Sequence, residues 1–136
     1  MKYGSLVLEK KDFRLIKKYL KQNLFIEDYS HKDALDTLED NLRTALVFPQ
    51  EDMPYDIVGF NSVVTVSSIS NFEYTFQLVS PLNNDPKNGK ISVTSTMGSL
   101  VIGRSEDDII IYGPPADSVS LKIRKVTNHV TEKVQV

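Results

Sequence analysis

Residues 91–108 read ISVTSTMGSLVIGRSEDD, and the pattern changes twice along them. Ile91, Ser92 and Val93 alternate as a short half-buried strand does. Ser95, Thr96, Met97 and Gly98 lead into the small and apolar run Ser99, Leu100, Val101 and Ile102, and residues 97–103 are a short helical candidate. Gly103 is placed to end that helix. Glu106, Asp107 and Asp108 then precede a second strand, Ile109, Ile110, Ile111 and Tyr112. Two strands thus flank one short helical candidate.

The same period of two recurs on both sides. Residues 63–66 (VVTV), 74–79 (YTFQLV) and 119–123 (VSLKI) read as further strands. Residues 83–89 (NNDPKNG) and 113–115 (GPP) are turns. Upstream of residue 50 the period becomes helical. Phe13, Ile16, Leu20 and Leu24 form one apolar stripe and predict a helix over 10–24. Leu35, Leu38, Leu42, Ala45 and Leu46 predict a second over 31–47, with Ser30 as its N-cap and Asp33 three residues on. Pro49 and Pro54 bracket a break. Periodicity thus predicts two helices packed as an antiparallel hairpin, followed by a β-rich region with one short helix.

Charge is unevenly placed. Residues 10–21 hold six cations against Asp12 alone, and residues 27–56 hold nine acids against Lys32 and Arg43. The basic first helix is therefore expected beside the acidic second, with exposed pairs worth only ~0–1 kcal/mol each. A formal net charge of −2 argues against a stand-alone nucleic-acid binder. Lys10, Arg14, Lys17 and Lys21 form a basic face without interleaved aromatics, so it lacks a base-stacking platform and is expected to be solvated or paired. The chain has no cysteine and no apolar run long enough to span a bilayer, which fits a cytoplasmic protein. No nucleophile elbow, phosphate loop or metal-spacing motif occurs, so no catalytic residue, cofactor or metal is expected. His31 and His129 are expected at the surface.

Residues 91–108 resemble the signature of the C-terminal domain of the Gre transcript-cleavage factors, in which I-S-V/I is followed by S-P, a short helix ending A-L-L/I-G, and G-D. The junction 51–58 (EDMPYDIV), followed by Asn61, Ser62, Val63 and Val64, resembles that of the Rnk proteins, short Gre-like regulators whose segment reads E-E-M-P-x-D-V-V-x-M-N-S-x-V. Two departures stand out: Thr96 replaces the family proline, and Asp107 replaces glycine, which implies a turn without a left-handed residue there.

The resemblance implies an α+β fold, an antiparallel helical hairpin over residues 1–50 and then, over 51–136, an FKBP-like domain whose twisted antiparallel sheet packs on one short helix and grips the coiled coil at the rim of the bacterial RNA polymerase secondary channel. Thr94, Ser95, Thr96, Met97 and Gly98 match the contacting loop, with Met97 offering apolar area. Nucleic acid would be met only through polymerase, and a monomer is expected. In cleavage-stimulating relatives an acidic tip on a long hairpin helps hold a catalytic Mg²⁺. The acids near the tip here are Glu27, Asp28 and Asp33. Helices of 15–17 residues reach only ~22–26 Å, so the expectation is a non-enzymatic competitor of Gre factors that does not stimulate cleavage. For Asp33, support of the helix macrodipole is the plainer role. The alternatives are an FKBP-like prolyl isomerase or chaperone, and a regulator of another partner such as nucleoside diphosphate kinase.

Overall fold

The computed structural model describes residues 1–22 and 24–128; His129 lies outside them. The first strand, β1 (Val7–Glu9), runs directly into α1 (Lys10–Leu20). The Glu9 carboxylate caps α1 by accepting from the amides of Lys11 at 2.9 Å and Asp12 at 3.3 Å. The helix is shorter than expected. Lys21 and Gln22 close back on the carbonyls of Lys18 and Tyr19, the tighter turn that commonly ends an α-helix, and Leu24 falls beyond it.

The second helix, α2 (Tyr29–Leu42), starts two residues earlier than the sequence suggested. Its cap is Asp28, whose Oδ1 accepts from the His31 amide at 2.8 Å, rather than Ser30. A carboxylate there satisfies an orphan amide and also complements the positive end of the helix. Asp33 consequently lies beyond the first turn. The far end is corrected as well. Leu46 is not helical; it is 42% exposed and belongs to β2 (Leu46–Phe48), which pairs in parallel with β1.

The expected charge pairing between the helices does not form. The ion pairs of α2 stay local, Lys32–Asp36 at 3.1 Å and Arg43–Asp40 at 3.8 Å. Among the described residues no cation of α1 makes an ion pair with α2. Ile16, Leu38 and Leu42 join the apolar core instead, so burial holds the helices.

The sheet comprises β3 (Val63–Ser67), β4 (Glu73–Val79), β5 (Lys90–Ser92), β6 (Ile109–Tyr112) and β7 (Val119–Thr127), in the order β5-β4-β3-β7-β6. It is mixed, not wholly antiparallel: β4 and β5 run parallel. Two short 3-10 turns, Pro81–Asn83 and Pro86–Asn88, carry the chain back before β5, and Gly89 supplies the left-handed residue (φ 73°) at its entry. The third helix, α3 (Thr96–Val101), packs on the sheet. Val64, Val66, Phe76, Leu78, Leu121 and Ile123 from the sheet, Val101 and Ile102 from α3 and its end, and Leu6 and Leu8 from the N-terminal segment form one apolar cluster. Asp107 has φ 74° and so is left-handed after all; its amide donates to the Ile123 carbonyl at 2.8 Å, which holds the turn. Aspartate tolerates this conformation better than most side chains.

Candidate docking site

The joint between β5 and α3 is built from hydroxyls. Ser95 caps α3: its Oγ accepts from the Gly98 amide at 3.0 Å and donates to the Ser92 carbonyl at 2.7 Å. Ser92 Oγ accepts from the Thr94 amide at 3.0 Å and lies 2.9 Å from Thr94 Oγ1. Asn84 Oδ1 accepts from the Ser92 amide at 2.8 Å, and Ser99 Oγ donates to the Thr96 carbonyl at 2.9 Å. These bonds restrain a loop that lacks the proline of the resembled family. Gly98 sits so close to β5 that a Cβ would stand 2.0 Å from the Ser92 carbonyl oxygen.

The five residues singled out in the sequence therefore divide. Met97 and Gly98 are buried, and Met97 belongs to the core, so its apolar area is not offered outward. Thr94, Ser95 and Thr96 stay partly exposed as a hydroxyl edge.

His31 is the residue that sequence reasoning misplaced. It is 4% exposed, not at the surface. The Glu27 amide donates to its Nδ1 at 3.1 Å, so Nε2 carries the hydrogen and donates to the Thr94 carbonyl at 2.7 Å. One imidazole thus ties the start of α2 to the loop entering α3. The signal was present: His31, Leu35, Leu38 and Leu42 fall on one helical face. His31→Leu is expected to cost about 1–3 kcal/mol, because it leaves a buried carbonyl and an amide without partners. Chemical denaturation would read the loss, and hydrogen exchange should show the Glu27 amide losing protection.

The tip acids also separate. Asp28 is occupied as a cap, while Glu27 is exposed and contributes its backbone amide to His31. Asp33 is exposed on the wall of a groove of about 270 Å³, with Tyr29 and Ser30 from α2, Thr96 from α3, Ile111 from β6, and Ser118. A second groove of about 380 Å³ lies between α1 and α2, lined by Phe13, Lys17, Leu20, Lys21, Leu42 and Arg43, with Lys17 Nζ 5.2 Å from the Phe13 ring centre. Among the described residues, no group of three or more metal-ligating side chains converges, and no helix is long and apolar enough to cross a membrane.

The junction motif is structural. Asp56 is 1% exposed and accepts from Lys2 Nζ at 2.5 Å and Tyr3 Oη at 2.9 Å. Ser62 Oγ accepts from the Gly59 amide at 2.8 Å and donates to Asn128 Oδ1. Asn128 Nδ2 in turn donates to the carbonyls of Tyr55 at 2.9 Å and Ile57 at 3.1 Å. The motif thereby fastens the N-terminal segment and the end of β7 to the junction.

Residues 53–128 match the family model described as the C-terminal part of transcription elongation factors GreA/GreB. The chain is 34% identical over 91 residues to transcription elongation factor GreA of Thermoanaerobacter pseudethanolicus, covering 66% of this chain and 58% of that protein. It is 35% identical over 92 residues to the GreA of Syntrophotalea carbinolica, covering 67% of this chain and 56% of that one. The matched region thus spans less than three fifths of the length of these curated relatives. Among solved structures, a prokaryotic transcription elongation factor GreA/GreB from Nitrosomonas europaea superposes with a TM-score of 0.74 at 26% identity, covering 92% of this chain and 99% of that one.

Proposed function

The chain belongs to the GreA/GreB transcription elongation factor family, and from that premise we propose that it docks on bacterial RNA polymerase at the secondary-channel rim and competes there with Gre factors without stimulating transcript cleavage. The observation that carries the reading is the β5–α3 joint. It presents Thr94, Ser95 and Thr96 from a sheet domain on a loop held by capping bonds and by His31. Loops on a rigid scaffold are well suited to recognition, because little order has to be gained on binding.

Helix length supports the negative half. With 11 residues in α1 and 14 in α2, the two helices extend only ~17 and ~21 Å. Of the three acids near the tip, Asp28 is committed to capping and Asp33 faces a groove beside α3. A set of hard oxygen ligands for Mg²⁺ would need these carboxylates to converge. On this reading the protein is a non-enzymatic, cytoplasmic regulator that meets nucleic acid only through polymerase.

The test is binding to purified core polymerase, with and without a Gre factor, alongside cleavage of a backtracked transcript. Binding that Gre displaces, with no cleavage above the factor-free rate, is the expected result. Stimulated cleavage would refute the length argument, and no binding by folded protein would refute the docking itself.

A further inference from the structure

We propose that the groove between α2, α3 and the 113–118 turn receives an arginine side chain of a protein partner, with the Asp33 carboxylate as its anchor. The groove sets Asp33 among Tyr29, Ser30, Thr96, Ile111 and Ser118. Among the described residues Asp33 makes no hydrogen bond or ion pair, as is also true of Glu39, whereas Asp28, Asp36 and Asp40 on the same helix or its cap all do. Its position beyond the first turn also removes the capping role that would have accounted for it. The surface therefore holds an unspent anion in a recess flanked by hydroxyls and a tyrosine.

That combination suits a guanidinium more than an ammonium. A planar fork can bond a carboxylate with two parallel N–H donors while leaving other donors for neighbouring hydroxyl oxygens. Tyr29 is 74% exposed and offers a ring face for the same cation. Ile111, 56% exposed, extends the rim with apolar area for the stem of a long side chain. Thr96 belongs both to this groove and to the hydroxyl edge assigned to docking, so the two surfaces are continuous. The proposal rests on the docking reading for the partner's identity, but not for the chemistry of the groove. In this scheme Asp33 acts in partner recognition rather than as a tip acid.

Two measurements separate these claims. The isotope-labelled full chain is titrated with N-acetylarginine methylamide and, separately, with the citrulline counterpart, which has nearly the same shape without the charge. Amides of Tyr29, Asp33 and Thr96 are expected to shift with the arginine probe only, and Asp33→Asn should abolish the shift. Equal shifts with both probes, no shift at the groove, or an unchanged response in Asp33→Asn would overturn the proposal. In the second measurement Asp33→Lys is compared with the unaltered chain for polymerase binding, where about a tenfold weakening is expected from reversing one interfacial charge. Unaltered affinity of Asp33→Lys for a polymerase that binds the parent chain would also overturn it. A selective arginine response in a chain that does not bind polymerase would sustain the groove chemistry and remove the polymerase assignment instead.

Discussion

Gly98→Ala should lower the unfolding free energy by about 3 kcal/mol, at the upper end of the usual range for overpacking. Glycine to alanine inside an exposed helix normally gains up to ~1 kcal/mol, so the expected sign is opposite to propensity. The reason is local. The added methyl would stand 2.0 Å from the Ser92 carbonyl oxygen and 2.9 Å from both the Ser92 carbonyl carbon and Val93 Cα. All three are backbone atoms, and no side-chain rotation relieves them. Either α3 moves off β5, which opens the packing of Val101 and Met97, or the Ser95 cap is lost. Thr96→Ala, two residues away and only half-buried, serves as a control and should shift stability by less than about 0.5 kcal/mol. Urea denaturation of both variants decides the matter. A Gly98→Ala protein as stable as its parent would mean that the β5–α3 contact is not the tight joint described.

Asp56→Asn should cost about 2 kcal/mol at neutral pH, the scale of hydrogen bonds to a charged group, and should also change how stability depends on pH. Burial alone would raise the pKa of this carboxyl. The bonds from Lys2 and Tyr3 outweigh it, so the pKa falls below the usual carboxylate value. A depressed pKa contributes stability that is complete above the unfolded value near ~4 and is lost as pH falls through the folded value. At the other limb, the Lys2 and Tyr3 pKa values are both raised, chiefly by the same bonds to Asp56. Their contributions are complete below ~10 and disappear as pH rises through the folded values. The parent chain should therefore lose stability at both extremes through this cluster. The asparagine variant should be less stable between them and show a shallower acid limb. Parallel acid limbs in the two proteins would show that Asp56 is not the group responsible. Lys2 is itself 45% exposed at its side chain, so solvent screening keeps the effect below that of a fully buried pair.

Much of the sheet domain was legible because strand and helix periods report which side of an element faces the core. Residues 63–66, 74–79, 109–112 and 119–123 all lie within observed strands, and the short helix expected over 97–103 is observed over Thr96–Val101. The GreA/GreB resemblance rested on the same stretch and on the junction, and the family match over 53–128 agrees with it. The helical stripes through Ile16, Leu35, Leu38 and Leu42 were equally plain.

What the chain alone determined, then, leaving aside the unread strands β1 and β2, is the order of its elements, their buried faces and the family its residues resemble. These follow from short-range periodicity and from motifs contiguous in sequence. Tertiary structure decided which elements meet. A strand's side-chain pattern is the same whether its neighbour runs parallel or antiparallel, so the β4–β5 and β1–β2 pairings could not be read from it. Hydrogen-bond partners distant in sequence settled the rest. His31 can be buried because the Thr94 carbonyl, 63 residues away, accepts a hydrogen bond from its Nε2. Asp28 is committed as a cap, whereas Asp33 lies in a groove beside Thr96, because the first turn of α2 forms two residues earlier than local residue preferences indicated. Residue type did not separate these acids: the start of α2 made Asp28 its cap, and the packing of α2 beside α3 set Asp33 in the groove.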